Sequence, residues 1–202
     1  MPKYPGPALR WLVVAGTLLA RLACAAADPA AAQVDRFHGA LLECMKAGAT
    51  LSIEERYSKL APVIGRTFDL PVMTGFAVGP AWAGFSPAQQ QASIAAFTRL
   101  TVASYAHNFR DFSGEQFDTD ADVAVRGRDR IVQTHLLRPH DAPVNLIYRM
   151  RESEGSWKVI DVYYGAISQL TTRRSDFAAP IAAGGAPGLI AHLNELSADL
   201  MK

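Results

Sequence analysis

Residues 144–164 read VNLIYRMRESEGSWKVIDVYY, two apolar-rich runs joined by Glu154-Gly155. In the first run Val144, Leu146, Tyr148 and Met150 alternate with Asn145, Ile147, Arg149 and Arg151. That period of two predicts a strand with one packed and one partly wet face. The second run, Trp157 to Tyr164, sets Trp157, Val159, Asp161 and Tyr163 against Lys158, Ile160, Val162 and Tyr164. Its weaker contrast suits a strand covered on both faces, and Glu154-Gly155 supplies the hairpin between the two. Upstream, Gln116 to Val125 and Arg130 to Arg138 are again rich in Val, Ile and aromatic residues, with Arg126-Gly127 and Pro139 to Pro143 as breaks. Four successive short strands predict an antiparallel meander.

The pattern on both sides is helical. Val34, Phe37, Leu41, Cys44 and Met45 form one stripe over Val34 to Ala47. Ser52 with Glu55 is a capping box that starts a second helix, in which Ile53, Tyr57, Leu60 and Ile64 are apolar and Pro62 predicts a break after Ala61. Helical turns resume from Phe68 to Ala77. Ser86-Pro87-Ala88-Gln89 combines a capping serine, a proline at the first helical position and a glutamine at the third. A helix to about Phe109 follows, with Ile94, Phe97, Thr101, Tyr105, Asn108 or Phe109, and Phe112 as its stripe. After the strands, helix is predicted from Ile167 to about Ala182, then a stop at Gly184-Gly185 and a last helix opened by Pro187. The fold class predicted is α+β, with helices packed on the concave face of a curled antiparallel four-stranded sheet.

The amino end carries a different signal. Lys3 and Arg10 precede a ten-residue uncharged run, Trp11 to Ala20, which Arg21 closes. As a helix that run reaches about 15 Å, half the hydrocarbon core of a bilayer, so a cleavable export signal is the better reading than an anchor. The tract Ala23-Cys24-Ala25-Ala26-Ala27 offers an A-x-A cleavage site, which divides the chain into a signal peptide at 1–27 and a single domain at 28–202. Lipidation at Cys24 is the alternative, opposed by Arg21 three residues before it. Removing 1–27 takes Lys3, Arg10 and Arg21 and no acid, moving the formal charge from +1 to −2. Nothing here favours nucleic acid. Cys44 is then the lone cysteine, so no intrachain disulfide forms, and its place in a helical stripe suits a small buried hydrophobe.

Chemistry-bearing groups are sparse. His107 and Asp111 are four apart at the end of the long predicted helix and form either a general base with its orienting carboxylate or a surface pair. His135 and His140 have no Cys or Glu at ligand spacing, so no metal is expected there. Asp118-Thr119-Asp120-Ala121-Asp122 imitates the start of a calcium loop. Val123 stands where that loop needs glycine and Asp129 where it needs glutamate, which leaves a strand edge decorated with carboxylates. There is no G-x-S-x-G, Walker or G-x-G-x-x-G sequence. The chain is instead rich in apolar and aromatic groups facing the sheet, among them Phe68, Val72, Met73, Phe76, Phe97, Leu100, Tyr105 and Phe109. They form either a filled core or the lining of an apolar gap of ligand size.

Several stretches together resemble the MlaC-like, or toluene-tolerance auxiliary, family of periplasmic lipid carriers. They are Thr67-Phe68-Asp69-Leu70 with Gly79 to Trp82, Phe97, Leu100 and Tyr105, Val144 to Tyr148, Gly155 to Val162, Gly165-Ala166-Ile167-Ser168, and Gly185 to Leu196. The likeness covers residues 33–200 and is greatest to the branch associated with hopanoid biosynthesis. It implies a curled sheet of the nuclear-transport-factor-2 class enclosing an acyl-chain pocket, and no covalent chemistry or cofactor beyond a bound lipid. It implies a carrier working between an inner-membrane ABC transporter complex and an outer-membrane lipoprotein complex. Phe68, Val72, Phe97, Leu100, Tyr105, Leu146, Tyr148 and Tyr163, with Phe76 and Phe109, become the candidate lipid-binding residues, and Trp157 and Asp161 braces of the hairpin and following turn. Arg99, Arg110, Arg149 and Lys158 are candidate cations at the pocket mouth. The junction Tyr163-Tyr164-Gly165-Ala166 departs from the family's usual valine-glutamate-glycine, and its aromatic surface keeps a polycyclic cargo open beside phospholipid. Two readings from other classes stand beside the carrier: an enzyme of similar fold using His107, Asp111 or Asp161, and an adaptor that binds the transporter without carrying lipid.

Overall fold

A computed structural model describes residues 27–202. The signal-peptide and Cys24 expectations fall outside that range, apart from Ala27. The first helix, α1 (Pro29–Ala47), starts five residues before the predicted Val34. Asp28 caps it by accepting from the Ala30 N–H at 2.8 Å, and Pro29 sits where a missing N–H costs nothing. Every member of its predicted stripe is buried. The Ser52–Glu55 box opens α2 (Ile53–Thr67), which runs straight through Pro62. The predicted break fails because Pro62 lies on the exposed side while Leu60, Ile64 and Thr67 anchor the other in the core. Asp69 caps α3 (Leu70–Val78), a 3₁₀ stretch follows over Gly79–Gly84, and the Ser86–Gln89 box opens α4 (Pro87–Asn108).

The strands are β1 (Gln116–Thr119), β2 (Ala124–Arg126), β3 (Asp129–Arg138), β4 (Asp141–Ser153), β5 (Ser156–Tyr164) and β6 (Ile167–Ser168). They form one antiparallel sheet in the order β1-β3-β4-β5-β6, with β2 also on β3. This overturns the curled four-stranded sheet: six strands form an open sheet. The predicted first strand is split at Asp120 to Val123, so β1 and β2 share the outer edge of β3 as two short pieces. The opposite edge is the two-residue β6, which the sequence places inside a helix. Edges this short and this far apart have nothing to close with, and short edge strands also discourage pairing with other chains.

The last helix, α5 (Gln169–Leu200), is interrupted at Gly184 and Gly185, where Gly185 takes φ +57, so the predicted stop is a kink. At Gly188 a side chain would lie 2.6 Å from the Pro180 carbonyl oxygen, so only glycine lets the two halves approach. One apolar cluster ties helices to sheet through Phe37, Leu41, Leu60, Ile64, Phe68, Tyr148, Met150, Phe177, Leu189 and Leu193. Among the described residues no helix is long and apolar enough to cross a membrane.

Candidate functional site

Between α4 and the sheet lies a cavity of about 530 Å³, within the range of small-molecule sites. Its walls come mainly from α4, the sheet and the α2–α3 junction, with Met73 of α3 and Gln169, Leu170 and Arg173 of α5 completing them. Along α4, Phe97, Leu100, Thr101, Ser104, Tyr105 and Asn108 follow one another at helical spacing into it. From the sheet come Leu136, Val144, Leu146, Tyr148, Val162 and Tyr164, set side by side by the pairings Leu136↔Val144, Tyr148↔Val162 and Leu146↔Tyr164. Phe68 enters from the extended α2–α3 junction, which bridges to β5 at Val159 and donates the Asp69 N–H to its carbonyl at 2.9 Å.

Behind the cavity wall formed by Phe68, Tyr105 and Tyr148 the packing is aromatic and uncharged. The Phe37 ring meets Phe68, Tyr105 and Tyr148 edge-on at 5.2, 5.3 and 6.3 Å, and Tyr105 stacks on Phe109 at 5.5 Å. The Tyr148 hydroxyl and His38 Nε2 share a hydrogen bond at 2.9 Å, with the imidazole stacked on Phe117 at 3.9 Å. Burial pushes the His38 pKa down to about 3, and its Nδ1 has no partner. Burial likewise raises the Tyr105 and Tyr148 phenols above their ordinary range. Near neutral pH all three are therefore neutral, and the wall favours hydrocarbon.

Of the ten predicted residues, Phe68, Phe97, Leu100, Tyr105, Phe109, Leu146 and Tyr148 line this cavity. Tyr163 and Phe76 instead line a separate cleft of about 230 Å³ on the other face of the sheet, with Arg149, Asp161 and Arg174. Val72 is half-buried on α3 and lines neither. The reason for Tyr163 is a β-bulge: Met150 pairs with Val159 and Arg149 with Asp161, leaving Ile160 as an extra residue. Beyond a bulge the alternation changes phase, so Val162 and Tyr164 face the cavity while Asp161 and Tyr163 face away.

The predicted mouth cations are elsewhere. Arg99 donates to Asn194, Arg110 pairs with Asp111, Arg149 with Asp129, and Lys158 lies 4.0 Å from Glu154. The cations that line the cavity are Arg138 and Arg173, which the sequence reading passed over. Arg138 falls at the end of β3 and Arg173 one turn into α5. Leu136 and Val144 were recoverable from alternation, and Ser104 from the α4 stripe that already contained Thr101 and Asn108, whereas Val162 depends on the bulge at Ile160.

Nothing assembles the expected catalytic groups. Because α4 ends at Asn108, Asp111 lies off the helix, pairs with Arg110 and has no bond to His107. Asp161 accepts from the Ser168 hydroxyl at 2.7 Å and the Leu170 N–H at 3.3 Å, so it anchors the start of α5, the bracing role expected of it. The Trp157 ring carries the Arg130 guanidinium at 5.1 Å. The acidic run forms the crossing from β1 to β2, where Asp120 pairs with His135. Among the described residues no three His, Cys, Asp or Glu side chains are grouped to hold a metal ion.

An α+β shell around a largely apolar, aromatic cavity with two arginines in its lining suits a binding protein for an apolar or amphipathic molecule. The family model described as MlaC protein matches residues 35–195, and the chain belongs to that family of periplasmic lipid carriers, which are not enzymes. A solved structure, the phospholipid-binding protein from Ralstonia solanacearum in complex with a phospholipid, is similar at 25% identity with a TM-score of 0.76. The match covers 87% of this chain and 100% of that one. No curated protein matches the chain.

Proposed function

We propose that residues 28–202 carry a diacyl phospholipid through the periplasm, with residues 1–27 as the export signal. The acyl chains occupy the cavity against Phe68, Phe97, Leu100, Tyr105, Phe109, Leu146 and Tyr148, and the head group stays at the rim. The observation that carries this reading is the aromatic, largely apolar lining of a cavity of about 530 Å³ in a chain of the MlaC family. The Ralstonia solanacearum protein, solved with a phospholipid, supports it. Exchange with an inner-membrane ABC transporter complex and an outer-membrane lipoprotein complex completes the proposal. A polycyclic cargo loses one of its planks, because Tyr163 faces away from the cavity.

One buried C16 chain removes about 400 Å² from water, worth about 10 kcal/mol before the costs of association, so cargo is expected to survive purification. Native mass spectrometry of the periplasmic protein, set against its denatured mass, is expected to show an excess of one phospholipid. Extraction from the native host then identifies it. A clean apo mass alongside binding to the transporter complex would leave the adaptor reading instead, and recovery of polycyclic lipid alone would replace the cargo.

A further inference from the structure

The geometry points to a phosphate-binding subsite at the cavity rim, formed by Arg138 and Arg173. It rests on the carrier reading and states which part of the cargo is recognised. Among the described residues the cavity lining contains these two cations and no carboxylate, so the positive charge on the rim is met by no acid within the cavity itself. Their own partners are loose. Arg138 Nη1 is 3.4 Å from Asp141 and Arg173 Nη1 is 3.6 Å from Asp176, both carboxylates well exposed and neither contact a hydrogen bond. The one hydrogen bond Arg138 makes is from Nη2 to the Ala142 carbonyl oxygen at 3.2 Å, and its Nε–H is buried without an acceptor. On the far face of the same sheet Arg149 and Arg151 contrast with this, holding Asp129 at 2.6 and 2.7 Å and so having their charge met within the fold.

An unpaired buried donor costs free energy unless a ligand supplies the acceptor. The acceptor that suits two guanidinium groups beside an acyl-chain cavity is the phosphate diester of a glycerophospholipid, whose anionic oxygens take charge-assisted hydrogen bonds. Gln169 and Asn108 add neutral donors at the same rim. Among the described residues the only charged groups in the lining are these two arginines, so the phosphate common to glycerophospholipids is what they read: such lipids are taken alike, and an uncharged lipid with the same chains is discriminated against.

The test uses the purified protein with phosphatidylcholine vesicles carrying trace labelled phosphatidylglycerol, phosphatidylethanolamine or diacylglycerol of identical acyl chains. Wild type is expected to take up the two phospholipids equally and each about tenfold over diacylglycerol, the ratio one charge-assisted hydrogen bond confers. The double variant Arg138→Gln/Arg173→Gln is expected to bring that ratio near one with diacylglycerol uptake unchanged. Arg66→Gln/Arg110→Gln, which removes the same charge away from the cavity, keeps it. Should the double variant fail to fold, Arg173→Glu on the surface of α5 gives the same readout, and Arg138→Lys/Arg173→Lys is expected to retain a preference. Equal wild-type uptake of all three lipids, or a double variant that keeps the ratio, overturns the subsite and leaves the carrier standing. Uptake of none overturns both.

Discussion

On the inner face of the sheet Val132 lies opposite Tyr148 and Leu146 opposite Tyr164; three residues from Val132 along β3, on the outer face, the buried Asp129 carboxylate sits between Arg149 and Arg151. The two faces divide the labour of a carrier. The inner face leaves an apolar space unfilled, which forfeits packing that an ordinary core would have. The outer face supplies a rigid polar clamp across β3 and β4: Arg149 and Arg151 donate to Asp129 at 2.6, 2.7 and 3.0 Å. A cavity wall can stay hollow when the strands behind it are held by something other than the contents of the cavity.

The largest effect expected from breaking that division is at Asp129. Its side chain is 2% exposed, and hydrogen bonding from Arg151, then from Arg149, holds its carboxyl below the usual range. Asp129→Ala leaves Arg151, at 16% exposure, without its partner and is expected to cost about 3–5 kcal/mol, read from the urea midpoint at neutral pH. Arg149→Ala, at the more exposed partner, costs less. If Asp129→Ala unfolds within about 1 kcal/mol of wild type, the clamp is ornamental and the inner face is self-supporting.

The inner face has its own weak point under acid. His38 is neutral in the fold with a pKa of about 3, against 6.5 in the unfolded chain. Between those values the unfolded state binds a proton that the folded state refuses, so stability falls as pH drops through that window, by about 1.4 kcal/mol per unit at its steepest. From pH 6 to pH 4.5 the expected loss is about 2 kcal/mol. His38→Gln keeps a hydrogen-bonding group near Tyr148 and is expected to flatten that slope. Asp129 has the depressed carboxylate's sign, with its contribution present above the unfolded value near 3.9 and lost as pH falls below it, so above about pH 4 the acid slope belongs to His38 and below it the two add. His135, raised by its hydrogen bond to Asn145 and then by Asp120, acts oppositely, and its exposure keeps that effect small. An acid slope unchanged in His38→Gln would move the sensitivity off the inner face.

Much of this was legible in the sequence where one residue type meets one local rule. The Ser52 and Ser86 boxes, the α1 stripe, the Gly184-Gly185 interruption and the alternation of β4 are all local, and each is where it was expected. What escaped depends on partners distant in sequence. Nothing near Ile160 signals that β4 imposes a bulge there, yet that bulge decides that Tyr164 and not Tyr163 faces the cavity. Arg138 and Arg173 are 35 positions apart in sequence, and only the cavity that both line brings them together. The openness of the sheet follows from how short β1, β2 and β6 are, and strand ends are set by pairing partners more than by propensity.

The smallest expected effect lies in the turn that sets the phase of both faces. Ser153 pairs with Ser156 across Glu154-Gly155, and both turn residues have positive φ, 52° and 74°. That is the two-residue hairpin turn whose twist matches the strands, and it prefers Asn-Gly because asparagine tolerates the left-handed region that glutamate enters at a cost. The Glu154 side chain is 88% exposed and lies 4.0 Å from Lys158, so its removal forfeits little. Glu154→Asn is therefore expected to stabilise the fold by about 0.5–1 kcal/mol, read as a higher urea midpoint with an unchanged slope. Glu154→Gly gains less, because the unfolded chain gains freedom as well. Since the turn lies at the end of β4 away from Val144 and the cavity rim, lipid loading by native mass spectrometry is expected to match wild type. A stabilised variant with altered loading would mean that the hairpin turn and the cavity are coupled along β4, and that the two faces are less independent than their side chains make them.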